Sequence, residues 1–199
     1  WTFKKLFNLL HILQLFFGSN NDILKNQMKN KNLIISIGAN IKNPNGLSPI
    51  ETCKKAIKAI EDNNITVIKK SKWYISNPVP NNSEPKFFNC LILCKSELSS
   101  SNVLKVLLQI EKKLGRIRLK RKISRCIDLD LIDYSSRVKK SLRLTIPHPR
   151  SYIRKFVLLP MLEINPKWKN PLKKKHLSFF LKKISKKIIR IYKKWLILL

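Results

Sequence analysis

The stretch RCIDLDLIDY, residues 125–134, combines the alternation of a β-strand with two carboxylates. Successive side chains of a strand point to opposite faces, so Asp128 and Asp130 share one face, about 7 Å apart. The other face carries the apolar side chains Ile127, Leu129 and Leu131. Like charges on one face repel. Either neighbouring lysines balance them on a solvated face, or the pair binds a hard cation such as Mg2+, which prefers carboxylate oxygens.

The pattern around this stretch predicts a two-layer α+β fold. Strands are predicted at 32–38, 64–76, 86–96 and 125–134, where apolar and β-branched residues dominate. A first helix is predicted after Ser48, because Ser48 and Glu51 form a capping box and Pro49 takes the first helical position. A second helix is predicted after Ser99, with its end at Gly115. The order β-α-β-β-α-β is the ferredoxin-like arrangement, a two-layer sandwich.

The 199 residues are predicted to hold one domain, over 28–166, between two extensions. Residues 1–27 open on Trp1 and contain an apolar run too short to span a bilayer. A signal-peptide core is one interpretation of that run. The clean strand after Met28 favours another, in which translation starts at Met28 and the preceding segment is either not native or disordered.

Residues 167–199 are predicted to form a basic amphipathic C-terminal helix. Apolar residues recur there at steps of three and four, at Leu177, Leu181, Ile184, Ile188, Ile191 and Trp195. Such a helix packs on the domain or lies on an anionic membrane surface with its lysines outward. The narrow apolar stripe favours packing.

Composition narrows the choice of partner only slightly. A formal net charge of +31 is typical of proteins that bind nucleic acid or anionic membranes. However, abundant Lys, Asn and Ile with only four glycines also match an AT-rich genome, so charge alone does not decide. The four cysteines, Cys53, Cys90, Cys94 and Cys126, form no C-x-x-C motif. Reduced thiols in a cytoplasmic protein are therefore expected.

Basic residues flank the aspartate strand on both sides. The preceding segment contributes Arg116, Arg118, Arg121 and Arg125, and the following stretch LTIPHPRSYIRKF contributes His148, Arg150 and Arg154. Guanidinium groups bind phosphate oxygens through paired hydrogen bonds. An acid pair between such segments favours phosphoryl transfer, in which positioning and charge neutralisation do most of the catalysis.

Five motifs together resemble those of one enzyme family. In order they are SIGAN, WYISNPVPNNSEPKFFN, IEKKLGRIR, SRCIDLDLIDY and IPHPRSYIRKFVLLPMLEINP, within about residues 32–166. Their sequence is similar to that of the 6-hydroxymethyl-7,8-dihydropterin pyrophosphokinase family of folate biosynthesis. The resemblance implies the α+β sandwich already predicted. It also implies transfer of pyrophosphate from ATP to the pterin hydroxymethyl group, with release of AMP.

The resemblance gives each motif a role. Catalytic residues would be Arg116, Arg125, Asp128 and Asp130, and the two aspartates would hold two Mg2+ ions. ATP would be bound by Glu111, Arg116, Arg125, Arg143, His148 and Arg154. The pterin would be bound by Ser76, Pro78, Val79, Phe87, Asn89 and Phe156. Strand parity puts Phe87 on the face of Asn89, which favours a pocket role for Phe87 and leaves Phe88 to the core.

Some positions depart from the family pattern. Ile123 and Ser124 stand where many members have Trp-Gly-Pro, and the loop is one residue shorter. Phe87 replaces a common tyrosine, which removes a hydroxyl but keeps the stacking surface. Ala39 and Glu84 are further departures, and none of these removes a proposed metal ligand.

An RNA-binding module is the alternative function, because ferredoxin-like sheets and a basic chain suit a phosphate backbone. The sequence lacks the Lys/Arg-Gly-aromatic motif of such modules, and two aspartates on the binding face would repel RNA. We therefore expect a cytoplasmic monomer that acts on small molecules, without a nucleic-acid or membrane partner.

Overall fold

The structure, a computed structural model, describes residues 30–78, 84–117, 124–184 and 190–191. The predicted extension 1–27 and the predicted pterin-binding residue Val79 lie outside these residues. The described residues from Lys31 onward belong to one compact unit.

The helices and strands follow the predicted α+β order. They are β1 (Lys31–Ala39), α1 (Pro49–Glu61), β2 (Thr66–Lys70), β3 (Tyr74–Ser76), β4 (Phe87–Ser96), α2 (Ser100–Lys113), β5 (Asp128–Tyr134), β6 (Lys139–Lys140), β7 (Thr145–Ile146), α3 (Lys155–Ile164), α4 (Leu177–Lys183) and β8 (Arg190–Ile191). A 3-10 turn, Ser151–Ile153, precedes α3. The predicted strand over 64–76 is two strands, because residues 71–73 leave the extended ladder.

Local signals define the ends of α1 and α2 as predicted. The Glu51 carboxylate accepts a hydrogen bond from the Ser48 amide at 2.9 Å, and the Glu51 amide donates to the Ser48 hydroxyl. Ser99 caps α2 by accepting from the Asn102 amide at 3.2 Å. Gly115 follows the last residues of α2 with φ of +90°, a left-handed conformation that glycine adopts without steric cost.

The antiparallel sheet has the order β5-β1-β4-β3-β8, and β2 also pairs with β4. Helices α1 and α2 cover one face, where the first hydrophobic core includes Ile35, Ile60 and Leu107. Helices α3 and α4 pack on the second face, where the other core includes Ile34 and Leu158. The chain therefore forms the predicted ferredoxin-like sandwich and adds helices on the second face.

The predicted single helix over 167–199 is wrong. Within the described residues, the tail forms the short helix α4 and the two-residue strand β8. Ile184 ends α4 with extended backbone angles, φ −83° and ψ 130°. Apolar spacing alone did not reveal this break, because a strand can use the same apolar residues when a sheet edge is available. Among the described helices none is both long and apolar enough to cross a membrane.

Candidate active site

The predicted aspartates lie at one end of the second sheet face, beside the part covered by α3. In the register of the sheet, Gly38 pairs with Asp128 on one side and with Asn89 on the other. Ser36 pairs with Asp130 in the next row of the same face. Directly paired residues project to the same face. The acid pair and Asn89 therefore border one surface, with the small residues Gly38 and Ser36 between them.

Arginines contact Asp128 from both sides. Arg116 Nη1 lies 2.6 Å from Asp128 Oδ1, and Arg125 Nη1 lies 2.5 Å from Asp128 Oδ2. Arg116 also pairs with Glu111. Burial acts to lower the pKa of Arg116, but the charges of Asp128 and Glu111 outweigh it and raise that pKa. Arg116 and Arg125, the two predicted catalytic arginines, thus both contact Asp128, which was predicted to act with them.

Glu111 is almost fully buried, with 1% of its surface exposed. Its Oε1 accepts a hydrogen bond from the Leu129 amide at 2.8 Å. Strand β5 is at the edge of the sheet, so an outward amide of this strand needs a partner other than a strand. Glu111 supplies that partner between the two aspartates and holds Arg116 at the same time.

His148 and Arg154 approach Asp130. The Oδ2 atom of Asp130 lies 3.7 Å from His148 Nε2 and 3.5 Å from Arg154 Nη1. The His148 ring is oriented by the Arg150 amide, which donates to Nδ1 at 3.2 Å. The His148 amide donates to the Ile132 carbonyl on β5 at 2.9 Å. Since Nδ1 accepts, the neutral ring carries its hydrogen on Nε2, on the side of Asp130.

Burial and neighbouring charges change the acidity of these groups. Burial raises the pKa of Asp130, and the charge of Asp128 raises it further. Burial lowers the pKa of His148, although the charge of Asp130 opposes this shift. Burial, reinforced by Arg150, also lowers the pKa of Arg154. The site therefore favours a neutral histidine.

Charge in this cluster is nearly balanced. Its carboxylates are Glu111, Asp128 and Asp130, and its guanidinium groups are Arg116, Arg125 and Arg154. Three negative groups face three positive ones while His148 is neutral. The repulsion between the aspartates is thus offset by arginines that belong to the protein.

The pterin-side residues adjoin this cluster across Gly38. The Asn89 Nδ2 donates to the Ser76 hydroxyl at 3.0 Å and to the Phe87 carbonyl at 3.3 Å. A Cβ on Gly38 would lie 3.1 Å from Asn89 Oδ1 and 3.9 Å from the Phe87 ring. Glycine therefore leaves room beside an amide oxygen that is directed away from the Ser76 hydroxyl. This oxygen is a hydrogen-bond acceptor on the same sheet face as the acid pair.

The other predicted residues occupy varied positions. Phe87 and Phe156 are half-buried, and Pro78 is buried. The Arg154 guanidinium carbon lies 5.3 Å from the Phe156 ring centroid, within cation–π range. Arg143 is exposed on the turn between β6 and β7 and makes no hydrogen bond or ion pair with any residue that the structure describes.

Asn40 was not predicted, although it ends the motif SIGAN. Its Nδ2 donates to the Pro85 carbonyl at 3.0 Å and to the Ser124 hydroxyl at 3.2 Å. Its Oδ1 accepts from the Arg125 amide at 2.6 Å. The Ser124 hydroxyl also bonds to the Glu84 carboxylate. Asn40 thus joins the segments before β4 and β5, a role that becomes visible only when both segments are placed in space.

The donor atoms at this site suit a metal ion that is shared with a ligand. Within the ranges that the structure describes, no three His, Cys, Asp or Glu side chains are grouped as metal ligands. Asp128 and Asp130 nonetheless present two hard carboxylates on one face. Mg2+ is commonly held by one or two carboxylates together with substrate phosphates. The aspartate pair fits such a shared ion.

The fold places the chain in the class of ferredoxin-like α+β proteins. The model of the 7,8-dihydro-6-hydroxymethylpterin-pyrophosphokinase (HPPK) family matches residues 34–166, and the chain belongs to this family. A Plasmodium falciparum HPPK-DHPS crystal structure has a similar fold, with a TM-score of 0.59 and 13% identity, over 78% of this chain and 42% of that chain.

Sequence relatives have the same family name or a folate-synthesis name. The 2-amino-4-hydroxy-6-hydroxymethyldihydropteridine pyrophosphokinase of Synechocystis sp. is 43% identical over 54% of this chain and 54% of its own length. The protein of the same name from Haemophilus influenzae is 34% identical over 65% of this chain and 79% of its own length. The folic acid synthesis protein fol1 of Pneumocystis carinii is 35% identical over 84% of this chain, which spans only 22% of that protein.

Proposed function

We propose that this protein transfers pyrophosphate from ATP to the hydroxymethyl group of 6-hydroxymethyl-7,8-dihydropterin and releases AMP, as a step of folate biosynthesis. The observation that carries this proposal is the row in which Gly38 separates Asp128 from Asn89 on one sheet face. An acid–arginine cluster lies at one end of the row and an amide acceptor at the other. Membership of the HPPK family supports the same conclusion and gives no support to RNA binding.

On the nucleotide side, the arginines and His148 would bind the triphosphate. Arg116 and Arg125 now pair with Asp128 and would turn to phosphate oxygens once that carboxylate is otherwise neutralised. His148 would donate from Nε2, the nitrogen that faces Asp130. Arg143, on its exposed turn, would add a further phosphate contact.

On the pterin side, Phe87 and Phe156 would stack on the two faces of the ring. Asn89 Oδ1 would accept from the amide edge of the pterin, because Nδ2 is held by Ser76. Pro78 and, outside the described residues, Val79 would complete the pocket.

Asp128 and Asp130 would hold two Mg2+ ions shared with the phosphates, which fits their paired carboxylates once Arg116 and Arg125 turn to the phosphates. When bound, these ions would neutralise phosphate charge and lower the proton affinity of the pterin hydroxyl.

The chemistry is one displacement at the β-phosphorus. The pterin hydroxyl oxygen bonds to this phosphorus while the bond to the oxygen shared with the α-phosphate breaks and AMP leaves. The hydroxyl proton is released to solvent. Arg116, Arg125 and Arg154 would stabilise the negative charge on the transferring group, and the aromatic pair would align the hydroxyl.

The test is to follow AMP and pterin pyrophosphate by chromatography with purified protein, ATP, Mg2+ and hydroxymethyldihydropterin. We expect equal amounts of both products, and neither product when the pterin or Mg2+ is omitted. The variant Asp130→Asn should be inactive, while Asp62→Asn, at an exposed position, should behave as wild type. Release of ADP, or of AMP without pterin, would contradict the proposal. A cytoplasmic, monomeric state remains a prediction.

A further inference from the structure

The C-terminal tail adds a strand to the edge of the catalytic sheet. Strand β8 pairs antiparallel with β3, with Tyr74 opposite Ile191 and Ile75 opposite Arg190. On its other side β3 pairs with β4. The family match ends at residue 166, so this strand lies beyond the matched region.

Strand β3 carries groups that shape the pterin side of the site. Tyr74 lies opposite Asn89 in the register with β4. Ser76, the last residue of β3, accepts the hydrogen bond that fixes the Asn89 amide. Pro78 follows two residues later. A displacement of β3 would therefore change the orientation of the Asn89 oxygen.

Among the described residues, Glu163 is a further partner of this strand. Glu163 on α3 accepts hydrogen bonds from the Tyr74 hydroxyl and from the Lys72 amide, the latter at 2.8 Å. Strand β3 is only three residues long, so its ladder with β4 contributes few backbone hydrogen bonds. Pairing with β8 supplies the second side.

The residues proposed to bind the nucleotide do not lie on β3. Asp128 and Asp130 lie on β5, at the opposite edge of the sheet from β3 and β8. Their partners Arg116, Arg125 and Arg154 come from other segments. Loss of β8 should therefore affect the two ligands unequally.

We propose that β8 is a positioning element for the pterin pocket: its pairing with β3 holds Ser76 where it orients Asn89. The identity of the ligand rests on the proposed function, whereas the pairing itself does not. The competing role is simple protection of the sheet edge against association with other chains, in which case ligand affinity does not depend on β8.

The experiment compares two truncated proteins with the full chain. One ends at Ile184 and lacks β8, and the matched control ends at Ile191 and keeps it. Successive amides of a strand point to opposite sides, so of Tyr74 and Ile75 one donates towards β8 and the other towards β4. Hydrogen exchange at both residues reports the pairing through the amide that faces β8. Calorimetry gives pterin affinity in the presence of a non-hydrolysable ATP analogue with Mg2+, and the affinity of the analogue alone.

We expect the protein ending at Ile184 to exchange the amide that faces β8 about tenfold faster and to bind the pterin about tenfold more weakly because its pocket is less preorganised. Affinity for the ATP analogue should stay within about twofold of the full chain. The control ending at Ile191 should match the full chain in all three measurements.

A second variant covers the case in which the shorter chain folds poorly. Arg190→Pro with Ile191→Pro removes both amide donors of β8 at full length, and Lys193→Pro with Lys194→Pro places the same change after the strand. Only the first pair should weaken pterin binding.

Three results would overturn the proposal: unchanged exchange at Tyr74 and Ile75, unchanged pterin affinity without β8, or equal losses for both ligands. If the wild type binds no pterin, the proposed function fails and the positioning role fails with it. If the wild type binds pterin and the protein ending at Ile184 binds it equally well, only the positioning role fails.

Discussion

Glu111 Oε1 lies 2.8 Å from the backbone nitrogen of Leu129, the residue between the two site aspartates. The same carboxylate pairs with Arg116. One buried acid thus links the end of α2 to the aspartate strand and to Arg116. In this arrangement Glu111 can position both Leu129 and Arg116; the direct ATP contact inferred from the resemblance stays a prediction.

Replacement of Glu111 should separate its two roles. Glu111→Ala should lower the free energy of unfolding by about 1–3 kcal/mol, because it leaves the Leu129 amide buried without a partner. Glu111→Gln keeps an acceptor for that amide and should lose less stability, but it weakens the hold on Arg116 and should reduce turnover. Urea denaturation and AMP release measure the two effects.

The exposed Glu61 at the end of α1 provides the control, since Glu61→Gln should change neither quantity by much. Equal stability of the Ala and Gln variants of Glu111 would show that the contact with Leu129 contributes little.

Variants of the two aspartates should differ in stability, although we expect both aspartates to be needed for activity. Asp128→Asn leaves Arg125 without the carboxylate it contacts and should destabilise the ligand-free protein by up to about 1 kcal/mol. Asp130→Asn removes a carboxylate that burial and Asp128 disfavour in its charged form, so stability should hold or rise. Both variants should lose about 100-fold or more in turnover. Thermal unfolding without ligand distinguishes them, and a destabilised Asp130→Asn would contradict this assignment.

Local chemistry in the sequence was enough to predict much of the fold. Ser48, Ser99 and Gly115 mark helix ends through side-chain caps and a left-handed backbone, which depend on neighbouring residues only. Strand parity placed Asp128 and Asp130 on one face for the same reason. These features need no knowledge of distant contacts.

Other features depend on contacts that a linear pattern does not contain. The role of Glu111 arises because α2 ends beside an edge strand, and that of Asn40 because two segments converge on it. The tail changes from helix to strand where the free edge of β3 offers hydrogen-bond partners. The break at 71–73 divides one predicted strand in the same way.

Phe87 should contribute to pterin binding and hardly at all to nucleotide binding. Phe87→Ala should weaken pterin affinity by about 1–3 kcal/mol, by analogy with the loss of base stacking on an aromatic ring. Phe88→Ala, which alternation places on the opposite face, is the matched control and should leave pterin affinity nearly unchanged. Calorimetry with each ligand measures both variants. Equal losses of pterin and nucleotide affinity in Phe87→Ala would assign Phe87 to the core instead.

Gly38 should be sensitive to a single added methyl group. In Gly38→Ala the new Cβ would lie 3.1 Å from Asn89 Oδ1, close enough to displace the amide that would meet the pterin. We expect weaker pterin binding and a retained fold, because only the flexible end of Asn89 must move. Calorimetry and circular dichroism test this, and Ser36→Ala in the next row, which adds no atom, is the control. Unchanged affinity in Gly38→Ala would place the pterin away from this row.

Asp133 should make stability depend on pH. Its side chain lies in the second core, 3% exposed, where it accepts from Trp168 Nε1 at 3.0 Å and from the Ser136 amide at 2.8 Å. Burial raises its pKa above the usual 3.8, and the two hydrogen bonds only partly oppose this shift. The charged form is therefore disfavoured in the folded protein relative to the unfolded chain.

The sign of the effect follows from that raised pKa. The folded state takes up its proton at a higher pH than the unfolded state, so the cost of burying the charge falls as pH drops through the folded pKa and is gone below 3.8. In Asp133→Asn this side chain cannot titrate. Its NH2 group would face one of the two hydrogen-bond donors, Trp168 Nε1 or the Ser136 amide, and this should lower the free energy of unfolding by about 1–3 kcal/mol at pH 7. Acidification from pH 7 towards pH 4 should therefore widen the advantage of the wild type over this variant. Urea denaturation across this range measures the difference in the free energy of unfolding. Asp62→Asn, at an exposed position, is the control for net charge. If the advantage of the wild type narrows on acidification, the folded protein stabilises the charged form of Asp133 and does not disfavour it.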